Sequence, residues 1–240
     1  MRIIKKEMRN VNMNETIKNT RVVDHGRTES ILKEILNGVR RQGSAYMSYQ
    51  KRKDDSKDQA MYSAQYLQGF ADEALETLVK IGKDNAVKFE ALIKEAKQIE
   101  ISNDRVLYDL TDNAMQSALA TINILGKDLD SQTCSDIIES FRGQKRALDI
   151  IKKTMEVKGI LLPDKDKKYF YNSEEILEKL GQKLADFAWG PNNVTHYGMV
   201  LNEIKSVAVM LGIELTDKDL EIPVPKDHIW EVQARTVMGL

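Results

Sequence analysis

The chain has 240 residues, with 36 Lys/Arg against 37 Asp/Glu, 42% hydrophobic residues and a formal net charge of −1. That is enough apolar material for a core, and the balanced charge excludes a polyelectrolyte that binds nucleic acid through its whole surface. Four prolines, 13 glycines and many Lys, Glu, Leu and Ala favour helix over sheet, and a single cysteine excludes an intrachain disulfide.

Residues 1–27 read as a flexible basic arm. Residues 1–55 carry 13 Lys/Arg and 7 Asp/Glu, a net of +6, whereas residues 161–240 carry 9 and 13, a net of −4. The basic start is therefore a candidate contact for nucleic acid or an acidic partner. It holds no long apolar run, so no signal peptide is expected. No stretch anywhere approaches the roughly 18 apolar residues of a membrane span. Asp24-His25-Gly26 reads as a turn, and Thr28 as the cap of a helix that places Ile31, Leu32, Ile35, Leu36 and Val39 on one face. That helix is expected to meet Gly43, and the polar run Lys51–Lys57 to lead into the next element.

Ser56–Glu100 contains no proline and reads as one long amphipathic helix. Ala64, Leu67, Ala71, Ala74, Leu78 and Ile81 recur in steps of 3 and 4, the spacing of a coiled-coil seam. After Gly82-Lys83-Asp84-Asn85 the stripe restarts at Phe89, Leu92, Ala96 and Ile99. The old register would fall on Asn85 and Lys88, so the spacing predicts a kink or a change of neighbour near Gly82. The helix reads as one member of a mixed bundle or as a self-associating coiled coil. For contacts with a partner, Leu67, Ala71, Leu78 and Ile81, or Phe89, Leu92 and Ala96, are the candidate protein interface. With residues 28–55 this helix makes an N-terminal unit, 28–100.

Residues 101–160 read as a small helical bundle. Ser102 or Asn103 caps a helix carrying Val106, Leu107, Leu110, Ala114, Ala118, Leu119, Ile122 and Leu125, stopped by Gly126. Ser131 opens a short helix with Ile137, Ile138 and Phe141, ended by Gly143. Ala147, Leu148, Ile151 and Met155 mark a third, ended by Gly159. Residues 161–172, with Pro163 and a charge cluster, are the expected linker to a C-terminal helical unit, 161–240. Its helices run from Ser173 to about Phe187 and from Thr195 to Leu211, and Pro223 and Pro225 force an extended start on the tail. The fold class expected is all-α: a long amphipathic helix followed by small helical bundles, with little or no β structure.

Motifs that carry chemistry are few. Neither GxxxxGK[ST] nor GxGxxG occurs. Cys134, His25, His196 and His228 lack the spacing of zinc ligands, and Asp128-x-Asp130 lacks the glycine and glutamate of a calcium loop. Cys134 with His196 is conceivable as a nucleophilic pair. A cysteine in the first turn of a short helix is more often a small core residue. Tyr46, Tyr49, Tyr62 and Tyr66 near Lys51, Arg52 and Lys53 could stack bases, but stacking sites sit on sheets or grooves with basic residues interleaved, and here packing of helix against helix is the expectation. No catalytic residue, metal or cofactor is expected.

Leu119–Ile160, with Phe141-Arg142-Gly143 and Ala147-Leu148 after a short helix, resembles a segment of helical head-associated proteins of tailed bacteriophages. The resemblance covers about residues 56–160. It implies a scaffold-like or minor structural protein that contacts itself or phage head proteins, in the bacterial host cytoplasm or the virion. The other reading is a small phage or bacterial regulator or counter-defence factor binding a host protein or nucleic acid.

Overall fold

The spacing of buried residues explains where each helix lies. The computed structural model describes residues 23–55, 63–189, 194–216 and 218–220. The expectations for the arm over residues 1–22, for His228 and for the proline-containing tail lie outside the described residues. Seven α-helices follow one another here: α1 (Gly26–Asp55), α2 (Ala64–Asn103), α3 (Asn113–Leu125), α4 (Ser131–Ser140), α5 (Lys145–Val157), α6 (Ser173–Trp189) and α7 (Val194–Met210). Short 3-10 turns cover Gly126–Asp128 and Asp164–Tyr169. No strand occurs among the described residues, so the protein is all-α.

Helices α1 and α2 form a long antiparallel hairpin. Thr28 meets Glu100 near its open end, Gly38 meets Asn85 in the middle, and Arg52 meets Phe70 toward its closed end. Helix α6 packs on α2, and α7 packs on α6 and α1, which closes a four-helix ring. Its core holds Ile31, Leu32, Ile35, Leu36 and Val39 of α1 with Phe89, Leu92, Ile93 and Ala96 of α2. The same core takes Leu177, Leu180 and Leu184 from α6 and Val200, Leu201 and Ile204 from α7. A second core, built from α3, α4 and α5, buries Met115, Ile122, Cys134, Ile138, Phe141, Leu148, Ile151 and Met155. Core membership and chain order therefore differ. The helices after residue 172 complete the core begun by α1 and α2, and the bundle of residues 113–170 is inserted between them.

The predicted register break in α2 does not occur. One buried face carries Ala71, Ala74, Leu78, Gly82, Asn85, Phe89, Leu92, Ala96 and Glu100, with Ile93 buried beside it against α6. From 71 to 100 that is 29 residues in eight steps, about the 3.6 per turn of a straight α-helix. The face is continuous through Gly82 and Asn85. It looked broken because those two members are not apolar.

Other boundaries moved for equally local reasons. Helix α1 begins at Gly26, whose N–H is accepted by Asp24 Oδ1 at 2.8 Å. Thr28, expected as the cap, is buried inside the helix and donates to Glu100. The helix runs on through Gly43, where the Tyr197 ring lies against the backbone, leaving no room for a side chain. Residues 104–112, expected as helix, are turn and irregular structure that leaves Leu107 and Leu110 exposed. Residues 161–172 are not a loose linker. Asp166 and Tyr169 of the 3-10 turn are buried against the second core, and Ser135 Oγ donates to Asp166 at 2.6 Å.

The true cap of α4 is Asp130, one residue before the expected Ser131. Its carboxylate accepts the N–H groups of Gln132 and Thr133, each at 2.9 Å. Asp130→Ala is expected to lower the unfolding midpoint modestly. Asp130→Asn, which keeps an accepting oxygen, should lose far less. Chemical denaturation of the two variants measures the difference.

Candidate functional site

Two surface features combine shape with chemistry. One is a groove along the outside of α2 and α6; the other is a polar junction between the two cores.

The groove exists because α2 and α6 approach closely. A β-carbon on Gly82 would stand 2.6 Å from the Ala188 carbonyl oxygen, and one on Gly181 would stand 3.2 Å from Ile93 Cγ2. With glycine at both crossing points the helices sink together, and the larger residues beside them stand up as walls. The groove encloses about 740 Å³ and is lined by Val87, Phe89, Ile93, Ala185 and Trp189 among others. Val87 is 72% exposed and Trp189 65% exposed. Lys97 holds one rim, within 3.5 Å of both Glu174 and Glu178.

At the junction, Glu100 at the end of α2 is buried, with 1% of its side chain exposed. Three groups approach its carboxylate. Thr28 Oγ1 donates to Oε1 at 2.5 Å, Asn103 Nδ2 donates to Oε2 at 3.3 Å, and His25 Nδ1 stands 3.0–3.1 Å from both oxygens. The other ring nitrogen of His25 lies 3.0 Å from the carbonyl oxygen of Gly143, in the turn between α4 and α5. Burial works against a charged His25 ring. The hydrogen bond and charge of Glu100 outweigh it, with help from the Gly143 carbonyl and Asp104, and the net shift is upward from the ordinary histidine value. Beside the ring is a cleft of about 420 Å³ lined by Val106, Tyr108, Asp112, Gln144 and Arg146. Tyr108 donates to Asp112 Oδ2 at 2.5 Å, so that pair is already engaged within the chain.

Of the residues expected to form a partner interface, Phe89 alone lines the groove. Ala71, Leu78, Phe89, Leu92 and Ala96 are buried within the chain, and Leu67 and Ile81 are half-buried. Their stripe packs mainly on α1 and α6, so it serves the intramolecular core and presents little to a second molecule. The signal for an outward face on α2 is Val87, an apolar residue off the main stripe; together with Trp189 it marks the groove. Cys134 and His196 are not brought together. The cysteine is buried in the second core with Sγ 3.7 Å from Met155 Sδ, and His196 is exposed on α7. Burial pushes the Cys134 thiol up. Of the aromatic residues near Lys51–Lys53, Tyr49 engages a cation and Tyr66 packs edge to face on Phe70, while Tyr62 lies outside the described residues. Arg52 lies over Phe70 at 5.8 Å and Lys53 over Tyr49 at 5.9 Å.

Fold and site define an all-α protein of two helical cores with a long hairpin, a lateral apolar groove and a polar junction. Among the described residues, no helix is long and apolar enough to cross a membrane. No known protein family, no curated protein and no solved structure matches the chain.

Proposed function

We propose that this is a non-enzymatic structural or assembly protein of the tailed-phage head type, acting through helix-mediated contacts with itself or with head proteins. One observation carries the reading: the α2–α6 groove, where Val87 and Trp189 stand largely exposed on either side of a closely packed helix pair. A groove of this kind receives the apolar face of another helix, with residues spaced one turn apart as anchors. Large exposed apolar side chains flanking one groove mark interaction surfaces more often than single scattered ones do. The partner-facing element is still α2, but it is the face carrying Val87, not the stripe of Ala71 and Leu78.

The test is the solution mass of the full chain across a concentration series, alone and with candidate head proteins, for wild type and for Val87→Lys combined with Trp189→Ser. Both substitutions are at exposed positions, so stability should change by no more than about 0.5 kcal/mol. Association should be lost. A wild-type chain that stays monomeric and binds no head protein would overturn the proposal. Salt-sensitive retention of nucleic acid by the wild-type chain would replace it with the regulator reading, through basic residues 1–55.

A further inference from the structure

His25 joins three segments that are distant in sequence. It precedes α1, its Nδ1 faces Glu100 at the end of α2, and its Nε2 faces the Gly143 carbonyl between α4 and α5. The first two segments belong to the four-helix core and the third to the second core. The Gly143 turn is also held by the end of α7. A β-carbon on Gly143 would stand 2.6 Å from the Leu211 carbonyl oxygen, and one on Gly212 would stand 2.9 Å from the Arg142 carbonyl oxygen. Both glycines have positive φ, 78° and 72°, so the two backbones pass each other where no other residue fits. The turn is thus held by both His25 and the end of α7.

The hydrogen-bond inventory of the ring decides its proton count. A carbonyl oxygen only accepts, so Nε2 must carry a hydrogen to bond Gly143. If the ring is neutral it has one hydrogen for two acceptors. Kept on Nε2, it leaves Nδ1 a bare lone pair aimed at a buried carboxylate. Kept on Nδ1 for that carboxylate, it leaves Nε2 a bare lone pair facing the Gly143 carbonyl oxygen, so that the bond to the turn is lost. Thr28 and Asn103 already donate to that carboxylate, so its oxygens act as acceptors. One further proton between Nδ1 and Glu100 turns a repulsive contact into a charge-assisted bond. The ionisable groups that act on the ring point the same way: Glu100 at the end of α2 and Asp104 just beyond it. Arg142 on the turn lines the same cleft, but it is engaged by Glu139 at 2.6 Å and by Glu214 at 3.7 Å.

We propose that His25 is a proton-operated latch between the two cores, and that its deprotonation releases the Arg142–Gly143 turn and opens the cleft beside it. The sign follows from the upward shift of the ring. The latch is fully closed below the ordinary histidine value of about 6.5 and is lost as pH rises through the higher value that the ring has in the folded protein. The cleft is the part of the surface that changes, because His25 and the Arg142–Gly143 turn line it together with Val106, Leu107 and Tyr108. Acidification tightens the molecule and alkalinity loosens it at this one seam, leaving the α1–α2 hairpin intact.

Two measurements on the full-length chain test this. The first follows the ring nitrogens of His25 by NMR from about pH 5 to about pH 9, with His25→Gln supplying the assignment. A doubly protonated ring that titrates above the ordinary histidine value is expected. The second is amide hydrogen exchange, corrected for the intrinsic effect of pH, at residues 141–147 against the middle of α1. Protection of the turn should fall about tenfold as the ring deprotonates, the equivalent of one charge-assisted hydrogen bond, with α1 unchanged. In His25→Gln the turn should already be open and its exchange independent of pH. Titration at or below the ordinary value would overturn the proposal. So would turn protection that does not change with pH, or the same pH dependence in His25→Gln. The wild-type titration needs no folded variant to decide.

Discussion

Gly82→Ala is expected to destabilise the protein by about 2 kcal/mol, the cost typical of forcing a group into a closely packed contact. At an unconstrained helix position the same change stabilises by about 1 kcal/mol, because alanine has the better helix propensity. The sign is therefore diagnostic. Gly82 is buried in α2, and its added β-carbon would stand 2.6 Å from the carbonyl oxygen of Ala188 near the end of α6. The obstacle is backbone, which cannot rotate aside as a side-chain tip can. To relieve it, the last turn of α6 must lift from α2. That movement would disturb Phe187 and Ala188 in the core and the Trp189 wall of the groove. Urea unfolding of wild type and variant reads the difference as a shift in midpoint at constant slope. A stabilised Gly82→Ala would mean that α6 does not sit tightly on α2, and that the glycine is a weak point in the helix. The same variant should also weaken association through the groove, so folding and binding must be read separately.

That contrast shows what was legible in the sequence. Apolar periodicity located the core faces of α1 and α5 residue by residue, because Ile31, Leu32, Ile35, Leu36, Val39, Ala147, Leu148, Ile151 and Met155 repeat at helical spacing and are all buried. Glycine stops were also readable. Gly126, Gly143 and Gly159 all take positive φ at the ends of helices or in the turns after them, where only glycine is comfortable. The same residue type misled in the middle of elements. Gly43 and Gly82 are not interruptions but points of contact with Tyr197 and Ala188, which are more than a hundred residues away in sequence. No local pattern separates a glycine that ends a helix from one that admits a neighbour. The junction was hidden for a related reason. His25 and Glu100 are unremarkable alone, and nothing in the chain announces that the residues before α1 meet both the end of α2 and the α4–α5 turn. An apolar stripe does not say whether it faces another part of its own chain or a second molecule. Here α6, arriving from beyond residue 172, takes up much of the face that a partner was expected to cover.

Asn85 supplies the sharpest test of how the four-helix core is specified. It is buried, and its side-chain amide donates to the Gly38 carbonyl at 3.0 Å and to Gln42 Oε1 at 2.9 Å. Gln42 in turn donates to the Phe187 carbonyl at 3.1 Å. Two polar side chains thus tie α1, α2 and α6 together at one level of an otherwise apolar core. Apolar side chains can slide past one another at little cost, whereas these bonds are made at one register only. Asn85→Ala removes two hydrogen bonds and leaves a small void, and should cost about 2–3 kcal/mol. Asn85→Asp is nearly the same size, yet it should cost more, about 3–5 kcal/mol at neutral pH, because it aims a carboxylate at two acceptor oxygens in a buried site. The pH dependence follows. Burial and the facing oxygens would raise the introduced acid above its ordinary value, so the folded state would hold a proton that the unfolded state releases. The stability of Asn85→Asp should therefore rise as pH falls toward the ordinary carboxyl range, while Asn85→Ala shows no such rise. Denaturant midpoints of the two variants at neutral and mildly acidic pH decide the matter. Equal costs at both pH values would mean that position 85 contributes volume alone, and that register is set by the glycine contacts at 82 and 181.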